Sequence, residues 1–248
     1  MWLSALIFAL LFALRVSRSE LLTAVIVEPV LSLTLVDSLL NARGHLKHQY
    51  PIVLLTAQEN WSFFEQPIWL SLNVKLLRNE SVPKNRDQYS DKLIGCEFWQ
   101  HFDTEFVLIF QSDSRFCSTS PHSIEQFMVL GYPYLGAPWR ANGGVGNGGF
   151  SLRLLKATRA ACNSSAPTRH EDSYYSDYFR ANAAQWPNAP LPIAEKFASE
   201  TYFPIAQNVA PLGIHKAYVY QKGGRLRTVC PEFNVLARLK TEMGAKKP

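Results

Sequence analysis

The sequence has little with which to cross a membrane, hold nucleic acid or bind zinc. Its longest apolar segment, Trp2 to Leu14 interrupted only by Ser4, is too short to span a bilayer, which takes about 18 apolar residues. No Lys/Arg block reaches the length of a nucleic-acid arm, although 25 basic against 20 acidic residues leave a net charge of +5. Nucleic acid is thereby set aside as a partner, while a diphosphate ligand or an anionic membrane surface would suit the charge equally. Cysteine is scarce: Cys96, Cys117, Cys162 and Cys230 lack the paired spacing of a zinc site. They are read either as two disulfides in one of three connectivities or as four buried thiols. There is no internal repeat and no low-complexity linker, and at 248 residues with 47% hydrophobic content the chain falls in the range of one large α/β domain.

What is present begins with a leader. Residues 1–19 fit a signal peptide, with an apolar core of suitable length and small residues, Ser17 and Ser19, where a signal peptidase reads. The lack of a basic residue before that core leaves a short membrane anchor, and membrane association through the N-terminus, open. Asn-x-Ser sequons at Asn60, Asn79 and Asn163 add to a secretory destination, the ER or Golgi lumen or the exterior. The first strand starts almost at once after the leader, which leaves no stem and favours a soluble lumenal or secreted protein. Residues 20–235 are expected to form the folded domain, and 236–248 a basic tail, frayed from Lys240 on.

Leu21 to Val27 reads as a buried strand, and Leu31, Leu35, Val36, Leu39 and Leu40 as a helix entered at Pro29 and ended at Gly44. Pro51 to Leu55 and Val74 to Leu77 read as strands, Asn60 to Leu72 and Gln88 to Trp99 as helices. Phe106 to Phe110 is the strongest buried strand, apolar throughout because both faces would be covered. This alternation predicts a mostly parallel, nucleotide-binding sheet flanked by helices, with ligands bound beyond the carboxyl ends of the strands.

Gln111, Ser112 and Asp113 stand at that end of the strongest strand. A carboxylate there suits a divalent cation bridging two phosphates, although an Asp capping the next turn has the same pattern. From Gly143 to Gly149 five glycines occupy seven positions, which predicts a loop whose backbone approaches a ligand and adopts positive φ, or else a flexible surface loop. No Gly-Lys-Ser/Thr follows it, so it is not a Walker loop. Thr168 and Glu171 match a helix capping box, a structural use for Glu171, whereas Asp172 is free to act as a general base. His215, after a tight turn and before Lys216, is by itself more readily a structural histidine than a ligand.

The ordered set Ile109–Ser114, Gly136–Trp139, Gly146–Arg153, Glu171–Asp172 and Gly213–Lys216, together with Ala24–Glu28, resembles the DUF5672 family, a glycosyltransferase-like group, over about residues 20 to 220. The resemblance implies a GT-A-like fold and a nucleotide-sugar-dependent, hexosyltransferase-like activity. It implies Asp113 and His215 as ligands of a divalent metal, usually manganese. Gln111, Ser112, Trp139, Gly146, Asn147, Gly148, Gly149, Ser151 and Lys216 would line the donor and acceptor site. The acidic pair would supply the base of an inverting enzyme, Asp172 before Glu171. Gln111 departs from the pattern, standing where many such enzymes carry the first Asp of their metal motif. The expected partners are a nucleotide sugar, UDP-linked by preference, and a carbohydrate or glycoconjugate acceptor. A catalytically silent carbohydrate-binding or scaffold protein on the same fold is the alternative. A metal-dependent hydrolase leaves the glycines and Trp139 without a task.

Overall fold

The computed structural model describes residues 21–139, 145–162, 164, 170–204, 208–221 and 224–244. The leader, Gly143, Gly144, Asn163, Thr168 and the last four tail residues lie outside them. Strands β1 (Leu22–Val27), β2 (Ile52–Leu55), β3 (Val74–Leu76) and β4 (Phe106–Phe110) pair in parallel. Every residue of β1 and of β4 is buried, as continuous apolar strands covered on both faces must be. Beyond β4 the sheet changes direction. Strand β7 (Val145–Leu154) runs antiparallel to both β4 and β6 (Tyr134–Pro138), giving the order β3-β2-β1-β4-β7-β6 with only β7 reversed. The sheet is thus mixed, five strands pointing one way and one the other.

Helix α1 (Leu33–His45) starts one turn later than Pro29, because the Ser32 hydroxyl caps it by accepting from the Leu35 N–H at 3.2 Å. It buries Leu35 and Leu39 while Leu40 stays exposed, and it runs through Gly44 instead of ending there. The expected helix to Trp99 is broken at Gly95, whose extended backbone separates α2 (Arg86–Ile94) from a single turn, Cys96–Trp99. The stretch after Asn60 likewise divides into two short helices, Trp61–Phe64 and Pro67–Ser71.

Helices α3 (Leu155–Ala161), α4 (Glu171–Ala181) and α5 (Leu191–Phe197) follow β7. A small second sheet, β5 (Ser114–Phe116), β9 (Gly213–His215) and β8 (Ala198–Ser199), crosses the top of the main one. Its register sets Ser114 opposite His215, which joins the two ends of the sequence-derived site. The chain closes with α6 (Glu232–Gly244), so residues 236–244 are two turns of helix with Leu236 buried, not a frayed tail. The cysteines pair as Cys96–Cys162 and Cys117–Cys230. Asn60 is a poor glycan acceptor, because its buried amide donates to Pro29 O at 2.8 Å and Thr56 Oγ1 at 2.9 Å; Asn79 is exposed. No helix among the described residues is long and apolar enough to cross a membrane.

Candidate active site

Because β4 ends at Phe110, the chain turns over Gln111, Ser112 and Asp113 before entering β5. Reversed strand β7 holds this turn: the Gln111 N–H and the Ser114 hydroxyl both donate to Gly149 O, at 3.0 and 2.6 Å. From β9, His215 reaches into the same place with 4% of its surface exposed. Its Nδ1 lies 2.8 Å from Asn147 Oδ1 and 3.2 Å from Glu200 Oε1; its Nε2 lies 3.0 Å from Gln111 Oε1 and 3.3 Å from Asp113 Oδ1. Asn147 Oδ1 also accepts from the Gly149 N–H at 3.1 Å, which fixes the amide's orientation. The ring is thus gripped by two oxygens at each nitrogen.

Four acceptors around one imidazole call for positive charge. Burial opposes the imidazolium, but the hydrogen bonds and charges of Asp113 and Glu200 prevail and raise the His215 pKa. For Asp113 burial alone would raise the pKa, yet His215 and then Lys216, 3.8 Å away, pull it down to about 2. A divalent cation can replace the proton between Nε2 and its two oxygens. Octahedral bonds of about 2.1 Å set neighbouring donors about 3 Å apart, and the 3.0 and 3.3 Å separations here match that edge. Asn147 and Glu200, acting on Nδ1, would hold the tautomer that turns the Nε2 lone pair toward the ion. Among the described residues, the one converging group of three His, Cys, Asp or Glu side chains is Cys117, Cys230 and Glu232, and its sulfurs are spent in a disulfide.

The glycines work differently from expectation. Gly146, Gly148 and Gly149 belong to β7, not to a loop, and none has a positive φ. What they supply is absence of bulk. A Cβ at Gly149 would stand 2.3 Å from the His215 ring, one at Gly148 1.8 Å from Glu171 Oε1, and one at Gly146 2.0 Å from Ser176 Oγ. Glu171 opens α4 as its first residue with His170 at the cap, so it does not occupy the third position of a capping box. Its carboxylate accepts from Arg153 Nη2 at 2.6 Å, and Arg153, fully buried, lies over the rings of Trp99, Tyr134 and Tyr175 at 5.0 to 5.4 Å. Glu171 therefore anchors the start of α4, and Asp172, half-buried beside it, faces the open cleft.

That cleft, about 460 Å³, brings Gln111, Ser112, Asp113, Asn147, Gly149, Glu171, Asp172, His215 and Lys216 onto one wall. Gly146, Gly148, Ser151 and Trp139 are not on it. Ser151 is buried beneath, donating to Gly148 O at 3.0 Å and accepting from Arg153 Nε at 3.1 Å, while Trp139 packs against Gly146. Sequence reasoning missed Glu28, Tyr89, His170, Glu200 and Lys240, all on the cleft. Glu28 accepts from the Ser112 hydroxyl at 2.6 Å, and its signal was visible: a carboxylate closing an apolar strand at the sheet's ligand-binding end. Arg153, the one charged residue of β7, carried a similar one.

The mixed sheet, with one reversed strand among five parallel ones, is a GT-A-like fold, as its similarity to a solved glycosyltransferase shows. The chain belongs to the family described as Protein of unknown function (DUF5672), whose model matches residues 71–215. Among solved structures, the apo-form glycosyltransferase GlyE of Streptococcus pneumoniae TIGR4 is similar over 91% of this chain at 14% identity and a TM-score of 0.53. The match covers 64% of that protein's own length. The mannosyltransferase PcManGT of Pyrobaculum calidifontis, solved with GDP-Man and Mn2+, has 10% identity over 70% of this chain and 59% of its own, with a TM-score of 0.44. No curated protein matches the chain in sequence.

Proposed function

We propose that the cleft transfers a sugar from a nucleotide-diphosphate donor, UDP-linked by preference, to a hydroxyl of a carbohydrate or glycoconjugate acceptor. The observation that carries this reading is that Gln111 Oε1 and Asp113 Oδ1 both lie within 3.3 Å of His215 Nε2, on the cleft that also presents Asp172. These three atoms would hold a divalent cation, manganese by preference, which when bound offsets diphosphate charge. Asp172 would take the proton of the acceptor hydroxyl as its oxygen bonds to the anomeric carbon. The bond from that carbon to the diphosphate oxygen breaks with its electron pair leaving on the diphosphate, and the configuration inverts. Lys216, in a left-handed conformation with φ of 47°, would face the departing charge. Two disulfides agree with a lumenal or secreted setting.

The test is calorimetric titration of the purified protein with UDP, GDP and CDP, each with and without manganese, repeated on Asp113→Ala. Manganese-dependent binding of one nucleotide, reduced at least about tenfold in the variant, is expected. If the wild-type protein binds none of them, the transferase reading gives way to a silent carbohydrate-binding or scaffold role.

A further inference from the structure

The family match ends at residue 215, yet the cleft does not. Its outer wall is completed by Lys240, carried on α6 at the far end of the chain. Helix α6 packs on α1 and β5, with Phe233 and Leu236 buried beneath it. Just before it, Cys230 is bonded to Cys117, the residue that follows β5 and stands four positions after Asp113. The helix is thereby tied to the same short segment that carries the carboxylate.

The cations of the cleft differ in what they already do: Lys84 and Arg86, which also line it, are exposed to solvent. Lys216 is engaged by Asp113, and Arg153 by Glu171 beneath the wall. Lys240 is half-buried and has no ion pair or hydrogen bond to any described residue, while its neighbour Arg238 pairs outward with Glu242. The wall holds the carboxylates Glu28, Asp113, Glu171, Asp172 and Glu200, so a diphosphate entering it meets strong repulsion unless uncommitted cations receive it. A half-buried ammonium with no partner, held by a helix instead of a loop, is suited to that task.

We propose that Lys240 is a phosphate-binding residue for the nucleoside diphosphate, delivered into the cleft by a C-terminal helix that the Cys117–Cys230 disulfide ties to the metal-site turn. The proposal rests on the transferase reading above. It predicts that the chain beyond the family match is part of the ligand site and that a protein truncated before α6 holds diphosphates weakly.

The experiment is titration of the full-length protein and of Lys240→Ala with UDP, inorganic pyrophosphate and uridine at fixed manganese and low salt. Arg238→Ala is the control for a charge lost from the outer face of the same helix. Lys240→Ala is expected to weaken UDP and pyrophosphate about tenfold, as the loss of one charge-assisted contact does, and to leave uridine unchanged. Lys240→Arg should restore most of the affinity, and Arg238→Ala should change neither ligand. In a Cys117→Ser/Cys230→Ser background the effect of Lys240→Ala should shrink; a full effect there overturns the tether. Equal UDP affinity in wild type and Lys240→Ala overturns the proposal and leaves the transferase reading standing. A wild-type protein that binds neither UDP nor pyrophosphate overturns both.

Discussion

At Gly149 the fold tolerates hydrogen only. An added methyl would stand 2.3 to 2.5 Å from three atoms of the His215 ring, which cannot swing away because both its nitrogens are engaged. Gly149→Ala should therefore cost about 1–3 kcal/mol by overpacking, read by urea unfolding, and should abolish manganese-dependent nucleotide binding by displacing His215. Gly44→Ala is the contrast: in α1, with nothing within 4 Å of the new Cβ, it should stabilise by about 0.5–1 kcal/mol. The two substitutions separate a glycine kept for space from one kept for nothing the structure shows. At this scale Asp113, Asp172 and His215 stood out in the sequence through the ordered motifs of the resemblance, not through any local spacing, and the fold brings all three onto one cleft. Glu200 and Lys240 did not stand out. They reach the cleft only through the second sheet and α6, and no local spacing marks a residue recruited from so far away.

Between β3 and α2 a single carboxylate holds several elements in place. Glu80 accepts from Lys92 of α2 and lies 2.6 Å from His101 Nε2, with 14% of its side chain exposed. Burial opposes its charge, but the hydrogen bonds from Lys92 and His101 prevail and lower its pKa. A carboxyl whose folded pKa lies below its unfolded value contributes stability above the unfolded value and loses it as pH falls through the folded one. Glu80→Gln is accordingly expected to cost about 1–3 kcal/mol at pH 7, with the gap to wild type closing as urea melts are taken to more acid pH. A gap that stays constant across that range would mean the loss is one of packing. Element boundaries were legible in the continuous apolar strands β1 and β4, and were misjudged at both ends of α1 and where a backbone dihedral decided. Gly95 breaks the expected helix simply by being extended, and β7 turns a glycine-rich segment into strand because its neighbours β4 and β6 supply the ladder. Pattern alone cannot distinguish a glycine in a loop from one in a crowded strand.

Over the whole molecule, two covalent links bind distant parts of the chain: Cys96–Cys162 spans 66 residues and Cys117–Cys230 spans 113. Closing loops of this size restricts the unfolded chain, so replacing either pair by alanine should cost about 2–5 kcal/mol in urea unfolding, with the longer loop costing slightly more. Peptide mapping without reduction should recover these two linkages and no other; a different pairing would contradict the fold that joins β5 to α6. The parallel half of the sheet was readable from its alternation of strand and helix. The reversed strand and the second sheet were not, since both are set by pairing between distant segments, Phe110 with Phe150 and, farther still, Ser114 with His215. That separation has a consequence in time. A nascent polypeptide can complete β1 to β4, β6 and β7 well before β9 and His215 have been made. A product terminated short of residue 213 would thus hold the main sheet without His215, and on the proposed reading it would gain nucleotide binding only once that strand is in place.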